Sequence, residues 1–239
     1  MANFLVRKLD PSTAVSMSDP GSLPEIHNVE SVLSKAFTGD RFTAVVTGHG
    51  LSETDTSHIG PFWLTTVVAG LLGGEVYVAE TNDTERKIIG CAVWFGPGHS
   101  LYDTEAQQQH SLVPLMAMFD DKLQHWWHTV FLPTYDNMVA SGIGPDTKHN
   151  SWHLQTLGVD LQYRRKGAAT LLLNTVIKKA KLAGDKLSVE LENEVNFALY
   201  EGVGFELMPK GKARDECSES FTGITGDTFR MWVLAQDSK

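Results

Sequence analysis

The sequence predicts an α/β fold in which one mixed sheet is flanked by helices and interrupted by a helical insertion. Two β-rich runs, "EVYVAET" and "KIIGCAVWFG", are joined by the turn-like "NDTERK" and therefore predict a hairpin. Further along, the strand-like runs "WHLQTLGV", "KLSVELE" and "FRMWVLAQ" alternate with helical segments, an order typical of α/β domains. We therefore expect residues 1–239 to form a single domain.

The segment between the hairpin and "WHLQTLGV", residues 97–150, has a different composition. It is helical in pattern, rich in aromatic residues ("LVPLMAMFDDKLQHWWHTVF") and flanked by prolines. We expect a helical insertion between the third and fourth strands. Its apolar side chains are consistent with a lid over an acceptor site, a dimer surface or a completion of the core, and the sequence leaves these three roles open. The protein is accordingly expected to be a monomer or a homodimer.

The N-terminal part predicts one strand followed by two helices. The run "FLVRKL" (Phe4–Leu9) is strand-like. The first helix is predicted in "LPEIHNVESVLSKAF", where one helical face carries the apolar residues Ile26, Val29, Leu33 and Phe37. A second, strongly apolar helix fits Gly60–Leu72.

Composition and charge limit the classes of function. The chain has 239 residues, 42% of them hydrophobic, and a formal net charge of −9, which favours a soluble globular protein and argues against a nucleic-acid partner. This negative net charge mildly favours cationic substrates. The longest uncharged run, Ile59–Gly74, is broken by Pro61 and is too short to span a membrane. With two isolated cysteines and an N-terminus unlike a secretory signal, we expect a cytoplasmic protein with no membrane partner.

Three consecutive cations, Arg164, Arg165 and Lys166, precede a predicted amphipathic helix that ends at Gly184. The positive end of the helix dipole disfavours each cation there by roughly 0.3–1 kcal/mol. An anion bound to the free N–H groups of the first helical turn reverses the sign of that effect.

The residues that follow the cations allow such an anion to approach closely. Gly167 and the small Ala168 and Ala169 stand in the first turn, where backbone N–H groups can contact a pyrophosphate. The sequence therefore indicates a phosphate site, and a solvated basic cluster at a helix start is the alternative.

Other motifs of nucleotide, hydrolase or metal sites are missing or incomplete. The chain contains no GxxxxGK[ST], GxSxG or HExxH sequence. The "GHG" and "GPG" segments lack the strand–helix setting of a dinucleotide site and predict turns. His125 and His128 share a helix face but have no third ligand nearby in the sequence, so we expect no metal site.

The stretch "RRKGAA" resembles the [QR]xxGx[GA] acetyl-CoA motif of the GNAT superfamily of N-acetyltransferases. The expected strand precedes it and the expected amphipathic helix follows. The later "NEVNFALYEGVGFEL" resembles the second motif of the family, and "VLSKAFTGD" is similar to the start of fungal-type members. Leu161 stands where members of the family frequently have proline, and Asn196 stands where they frequently have alanine. Neither difference removes a group that the motif needs. The matching pieces cover about a third of the chain.

This resemblance implies a GNAT fold, with a mixed, mostly antiparallel sheet that is splayed between strands 4 and 5 and binds acetyl-CoA in the gap. The backbones of Leu157 and Val159 are then expected to bind the pantetheine arm and the acetyl carbonyl, and Asn193 to contact the pantetheine region. The pyrophosphate is expected to lie against the cations and the backbone N–H groups of one loop, comprising Arg164, Arg165, Lys166, Gly167, Ala168, Ala169 and Thr170.

Tyr200 is the candidate acid. The resemblance implies that it protonates the departing thiolate, which a phenol with a pKa of about 10 can do. The alternative is a packing role beside Phe197 and Val203.

His153 is the candidate base. Strict strand alternation places it on one face with Gln155 and Leu157, where it is the only ordinary base near neutral pH. It also resembles a histidine of arylalkylamine-acetylating relatives. A structural histidine and proton loss through water are the alternatives, and Glu190 and Glu192 on the next strand are further candidates.

These expectations describe an acetyl-CoA-dependent N-acetyltransferase that acts on the primary amine of a small molecule by direct attack in a ternary complex. Two other functions stay open. One is a protein or peptide N-acetyltransferase, since the acidic chain attracts basic tails, and the other is a non-catalytic acyl-CoA-binding sensor. The identity of the acceptor amine cannot be read from the sequence.

Overall fold

The computed structural model describes residues 4–10, 24–51 and 54–237, which form a mixed sheet of eight strands with helices on both faces. Leu23, where the first helix was expected to begin, lies outside these ranges. The first half of the fold consists of β1 (Phe4–Lys8), α1 (Pro24–Ala36), α2 (Arg41–Val46), α3 (Ile59–Gly73), β2 (Glu75–Thr81) and β3 (Ile88–Phe95).

The helix α2 is absent from the sequence prediction because its six residues are too few to show a helical period. It begins at its N-cap Asp40, whose carboxylate accepts a hydrogen bond of 2.7 Å from the Thr43 backbone N–H. This cap fixes the turn between α1 and α2, which lies beside the site described below.

Helices occupy the predicted insertion, and two π-helical turns connect some of them. They are α4 (Glu105–Gln107), α5 (Val113–Ala117), α6 (Asp121–Trp126) and α7 (Leu132–Ile143). Most of the aromatic side chains of the insertion are buried in one cluster with Phe221 and Phe229, including Phe119, Trp126, Trp127 and Phe131. The insertion thus completes the core, although Met118 is 45% exposed.

The second half of the fold alternates strands and helices as predicted. Its elements are β4 (Trp152–Val159), α8 (Ala168–Ala183), β5 (Leu187–Leu191), α9 (Phe197–Gly202), β6 (Glu206–Met208), β7 (Ser218–Thr222) and β8 (Thr228–Gln236). The strand order is β1-β2-β3-β4-β5-β8-β6, and β7 also pairs with β8. The β4–β5 pair is parallel, whereas the other pairs are antiparallel. None of the helices in the described ranges has the length and apolar character needed to cross a membrane.

The two central parallel strands separate along their length. Their pairing covers only Trp152–Leu154 of β4 and Leu187–Val189 of β5, although both strands continue further. At the same point β4 has a bulge, because Leu154 pairs with Trp94 and Thr156 with Val93, which leaves Gln155 as an extra residue. The predicted splay between strands 4 and 5 is therefore confirmed, and it opens a gap in the middle of the sheet.

The bulge makes one sequence prediction wrong. His153 pairs with Phe95, which packs in the core under α1 and α3, whereas Leu157 pairs with Ala92, which packs in the core under α8. His153 and Leu157 therefore lie on opposite faces of the sheet. Strict alternation fails here because the extra residue at Gln155 shifts the side-chain phase by one position.

Candidate active site

The gap between β4 and β5 is the centre of a cavity of about 900 Å³. This volume lies within the range of small-molecule and cofactor sites. On one side the wall comes from the turn before α2 and from α3, and on the other from the start of α8 and from α9. Its lining includes most of the residues predicted for the site, namely Leu157, Val159, Arg164, Arg165, Gly167, Ala168, Ala169, Thr170, Asn193 and Tyr200.

The loop before α8 has the conformation of an anion-binding turn. Gly167 is the N-cap of α8 with φ of 93°, in the left-handed region, and Arg165 also has a positive φ of 61°. A Cβ atom built on Gly167 meets no atom within 4 Å, so the glycine leaves open space above the first turn. The N–H groups of Ala168, Ala169 and Thr170 have no acceptor within the helix, because they belong to its first turn. This end of α8 therefore fits a pyrophosphate.

The three cations before α8 have different surroundings. The Arg164 guanidinium donates a hydrogen bond of 2.6 Å to the carbonyl of Ala36, the last residue of α1. Arg165 lines the cavity and is exposed. The Lys166 ammonium lies 5.4 Å from the centre of the Tyr163 ring, and its residue is not among those that line the cavity. Arg165 is thus the cation best placed for a bound phosphate, and Arg164 ties the loop to α1.

The edge of β4 that faces the gap carries unpaired backbone groups. The Asp160 N–H donates to the Ile89 carbonyl of β3, at 2.9 Å. Because successive N–H groups of a strand point to opposite sides, those of Leu157 and Val159 point away from β3 and into the gap. An extended ligand in the gap can pair with them as an added strand does.

Asn193 and Tyr200 lie on the opposite wall. The Asn193 side chain accepts a hydrogen bond of 3.1 Å from the Val195 N–H and so caps the turn before α9. Tyr200 is 7% exposed and packs edge-on against Phe205. Burial, together with the charge of Glu192, raises the pKa of the Tyr200 hydroxyl above its ordinary value, so the phenol stays protonated near neutral pH.

His153 does not line the cavity. It is 3% exposed, with its Nδ1 3.3 Å from the Ser188 hydroxyl and its Nε2 3.3 Å from Glu190 Oε2. Burial lowers the pKa of His153 to about 3, and Lys148 also lowers it, while Glu190 acts in the opposite direction. The imidazole is therefore neutral at pH 7.

Glu192 lines the cavity and is only partly exposed. Burial, together with the charges of Asp40 and Glu190, raises the pKa of the Glu192 carboxyl to about 8. Asp40 also lines the cavity, and burial raises its pKa above the ordinary value despite the hydrogen bonds from Thr43. A carboxyl group with a pKa near 8 can exchange protons at neutral pH.

Glu190 links the cavity to the insertion. The Tyr135 hydroxyl of α7 donates a hydrogen bond of 2.7 Å to Glu190 Oε2, and the Lys148 ammonium donates to the same hydroxyl and lies 3.5 Å from that oxygen. Although burial alone raises the pKa of Glu190, the Lys148 ammonium and the hydrogen bond from Tyr135 hold it below the ordinary value. The other oxygen, Oε1, is buried and has no hydrogen-bond partner.

Sequence reasoning missed Asp40, Tyr135 and Lys148 at this site. Tyr135 and Lys148 lie far from Glu190 in the sequence and show no local pattern, whereas an Asp before a short apolar run is an N-cap signal that could have placed Asp40. Across the described residues, no group of three or more His, Cys, Asp or Glu side chains is arranged to hold a metal ion.

The sequence profile of the acetyltransferase (GNAT) family matches residues 71–205, more than half of the chain. The protein therefore belongs to the GNAT family of acetyltransferases, enzymes that generally use acetyl-CoA. A comparison with curated proteins gave no match. Membership of the fungal-type subfamily stays a prediction.

Solved structures agree with this assignment at the level of the fold. A histone acetyltransferase HPA2 and related acetyltransferase from Corynebacterium glutamicum is 16% identical, with 99% of this chain and 97% of that chain covered and a TM-score of 0.55. A mosquito arylalkylamine N-acetyltransferase like 5b is 16% identical, with 98% and 100% covered and a TM-score of 0.50. An N-acetyltransferase from Staphylococcus aureus Mu50 is 15% identical, with both chains fully covered (100%) and a TM-score of 0.50. Together with the splayed β4 and β5, these matches confirm the predicted GNAT fold.

Proposed function

We propose that the protein transfers the acetyl group of acetyl-CoA to a primary amine of a small molecule, by direct attack in a ternary complex. The observation that supports this most strongly is the gap between β4 and β5, which is bordered by an anion-binding helix start and by the acidic side chains of Asp40, Glu190 and Glu192. Acetyl-CoA supplies an activated thioester carbonyl and a thiolate leaving group. The protein supplies the binding surface, the orientation of the amine and two proton transfers.

The cofactor residues of this proposal fall into two groups. The N–H groups from Arg165 to Thr170 and the exposed Arg165 side chain hold the pyrophosphate, since this is the positive end of α8. The open edge of β4 at Leu157 and Val159 pairs with the pantetheine arm, and Asn193 borders the same region. Arg164 and Lys166 contribute positive charge beside the loop.

Tyr200 donates the proton to the departing thiolate. Its phenol lines the cavity and stays protonated near neutral pH, as a general acid must. The charge of Glu192 is one cause of the raised pKa of Tyr200. When Glu192 gains a proton, the Tyr200 hydroxyl becomes a stronger acid, and the two proton transfers are thereby coupled.

Glu192 accepts the proton of the attacking amine. It borders the cavity, and its pKa of about 8 is close to the operating pH, which suits a general base. His153 stays a predicted alternative, but its burial and its low pKa favour Glu192. The pH dependence of kcat/KM in the wild-type protein and in the Glu192→Gln and His153→Gln variants separates these two assignments.

A screen of amines with acetyl-CoA, followed by the release of free thiol, tests the proposed function. We expect thiol release with small primary amines and much less with peptides that carry a free amino group. Faster release with basic peptides would favour a protein or peptide N-acetyltransferase. Tight acetyl-CoA binding without thiol release from any amine would identify a non-catalytic acyl-CoA sensor.

A further inference from the structure

We propose that Asp40 binds the acceptor: its Oδ1 accepts a hydrogen bond from the amine that is acetylated, and Thr43 and Trp63 hold the carboxylate in that orientation. This inference rests on the proposed function and adds to it a residue that positions the amine. Asp40 lies in the turn between α1 and α2, lines the cavity and is partly exposed.

The two oxygens of the Asp40 carboxylate differ in their surroundings. Oδ2 accepts two hydrogen bonds of 2.7 Å, one from the backbone N–H of Thr43 and one from its hydroxyl. No group of the described residues donates to Oδ1. Because Thr43 is 1% exposed and does not line the cavity, Oδ2 is directed away from the cavity, and Oδ1 is the oxygen left for a ligand.

Trp63 of α3 fixes the direction of these hydrogen bonds. Its indole Nε1–H lies 3.1 Å from the Thr43 hydroxyl oxygen and can only donate, so the hydroxyl proton is donated to Asp40. Oδ2 thus faces two donors and can only accept. In the Asp40→Asn variant the amide oxygen must therefore replace Oδ2, and the NH2 group must replace Oδ1.

The helix α3 also holds the turn that carries Asp40 in place relative to the gap. One helical turn after Trp63, the Thr66 hydroxyl lies 2.8 Å from the hydroxyl of Thr156, which is on β4 just beyond the bulge. Thr156 lines the same cavity as Asp40. One helix therefore joins the Asp40 turn to the strand edge at Leu157, where we place the acetyl carbonyl.

Glu192 and Asp40 act on the same nitrogen in this proposal. Burial raises the pKa of Glu192, and the charge of Asp40 is the next cause, so the two side chains are close enough to interact. Burial also raises the pKa of Asp40, while the hydrogen bonds from Thr43 and the charge of Arg164 oppose that rise and favour the ionised form. An ammonium group between the two carboxylates gives one proton to Glu192 and keeps another N–H on Asp40. The nitrogen lone pair is then left to attack the thioester carbonyl.

The variants Asp40→Ser and Asp40→Asn test the proposal, with pentylamine as the acceptor, acetyl-CoA as the donor and thiol release as the readout. Ser and Asn both retain an N-cap for α2, so the fold is kept. Asp40→Ser removes Oδ1 and should raise the KM for pentylamine roughly tenfold to a hundredfold with little change in kcat. Asp40→Asn turns a donor towards the amine, so its kcat/KM should be lower again by at least about threefold.

This order separates a direct contact from the other roles of Asp40. Both variants remove the charge beside Glu192, so a purely electrostatic role predicts equal kcat/KM for the two, and a role as N-cap alone predicts the wild-type value. Asp120→Asn is the matched control. Asp120 caps α6 by accepting a hydrogen bond of 2.8 Å from the Leu123 N–H and lies outside the cavity lining, so its variant should have wild-type kinetics.

The positioning role of Thr43 is tested by its dependence on Asp40. Thr43→Val removes the hydroxyl at nearly constant volume and should lower kcat/KM for pentylamine severalfold, whereas Thr43→Ser keeps the hydroxyl and should restore it. In the Asp40→Ser background, Thr43→Val should have almost no further effect, because Thr43 acts through the Asp40 carboxylate. A merely structural role would lower kcat/KM in both backgrounds. Circular dichroism and unchanged acetyl-CoA affinity confirm that each variant is folded.

Equal kcat/KM in Asp40→Ser and Asp40→Asn, or wild-type values in both, would overturn this inference while thiol release still supported the proposed function. If no amine releases thiol, the proposed function fails. In that case, and also if pentylamine alone is inactive, calorimetry of pentylamine with the coenzyme A-bound protein tests the contact. The wild type should then bind pentylamine more tightly than Asp40→Ser, and Asp40→Ser more tightly than Asp40→Asn. Equal affinities, or no binding to any of the three proteins, would exclude the contact.

Discussion

The Tyr135 hydroxyl donates a hydrogen bond of 2.7 Å to Glu190 Oε2 and so joins the insertion to the strand that borders the cavity. Lys148 donates to the same hydroxyl and lies 3.5 Å from the carboxylate, which places a cation beside a buried anion. The insertion therefore contacts a residue of the cavity wall without lining the cavity itself. Removing the cation leaves Glu190 buried without its charge partner.

Lys148→Met should destabilise the protein by about 1–3 kcal/mol at neutral pH, because Glu190 then loses its cation. Glu190 has a pKa lowered in the folded protein, so its contribution to stability is present above the ordinary value and is lost as the pH falls through the folded value. The difference from the wild type should therefore shrink below about pH 4.5. Urea unfolding at several pH values measures this difference in the free energy of unfolding. Lys178→Met, at an exposed position of α8, is the control and should change stability by less than about 0.5 kcal/mol.

Gly167→Glu should abolish binding of acetyl-CoA. The new side chain enters the open space above the first turn of α8 and brings a negative charge to the place where we locate the pyrophosphate. Gly184→Glu is a matched control, since Gly184 also has a positive φ, of 78°, and lies at the other end of the same helix. Isothermal titration calorimetry should give wild-type affinity for the control and no measurable heat for Gly167→Glu. Similar affinity for both variants would place the pyrophosphate elsewhere.

Glu192→Gln should remove a pH-dependent part of the rate. Since the pKa of Glu192 is about 8, the carboxylate fraction rises with pH through that value and levels off only above it. The substrate amine titrates equally in both proteins, so the ratio of wild-type to Glu192→Gln kcat/KM isolates the enzyme group. We expect this ratio to rise through about pH 8 and to reach roughly 10²–10⁴. His153→Gln should give a ratio without that rise, and the reverse pattern would make His153 the base.

The secondary structure was predictable where it follows from a local sequence pattern. The hairpin of β2 and β3, the strand β4 and the helix that ends at Gly184 follow from apolar period, turn residues and caps, and the structure confirms them. The glycine at the start of α8 was also recognisable, because the motif around it is continuous in the sequence.

The face of His153 was not predictable, because it depends on a bulge. One extra residue at Gln155 shifts the side-chain phase of β4, and nothing in "WHLQTLGV" marks that position. The partners of Glu190 could not be predicted either, since they come from the insertion and meet β5 only in the folded chain. Local patterns thus specify the elements and the glycine-containing loop before α8, while the surroundings of Glu190 depend on tertiary contacts.

Tyr200→Phe separates an enzyme from a binding module. The substitution keeps the ring, so its packing against Phe205 and the stability of the fold should change little. Only the phenolic proton is lost. If Tyr200 protonates the departing thiolate, the transition state loses an interaction that the ground state barely has, and kcat should fall by roughly 10²–10⁴ while acetyl-CoA affinity stays nearly the same.

The control is Tyr77→Phe, which removes a hydroxyl that donates to Glu75 outside the cavity and should leave kcat unchanged. The rate of thiol release at saturating substrate gives kcat, and calorimetry gives the affinity for acetyl-CoA. A fall in kcat of less than about threefold in Tyr200→Phe would show that solvent or another group protonates the thiolate. A fall in affinity equal to the fall in kcat/KM would instead assign Tyr200 a role in binding, because uniform binding changes the ground state and the transition state alike.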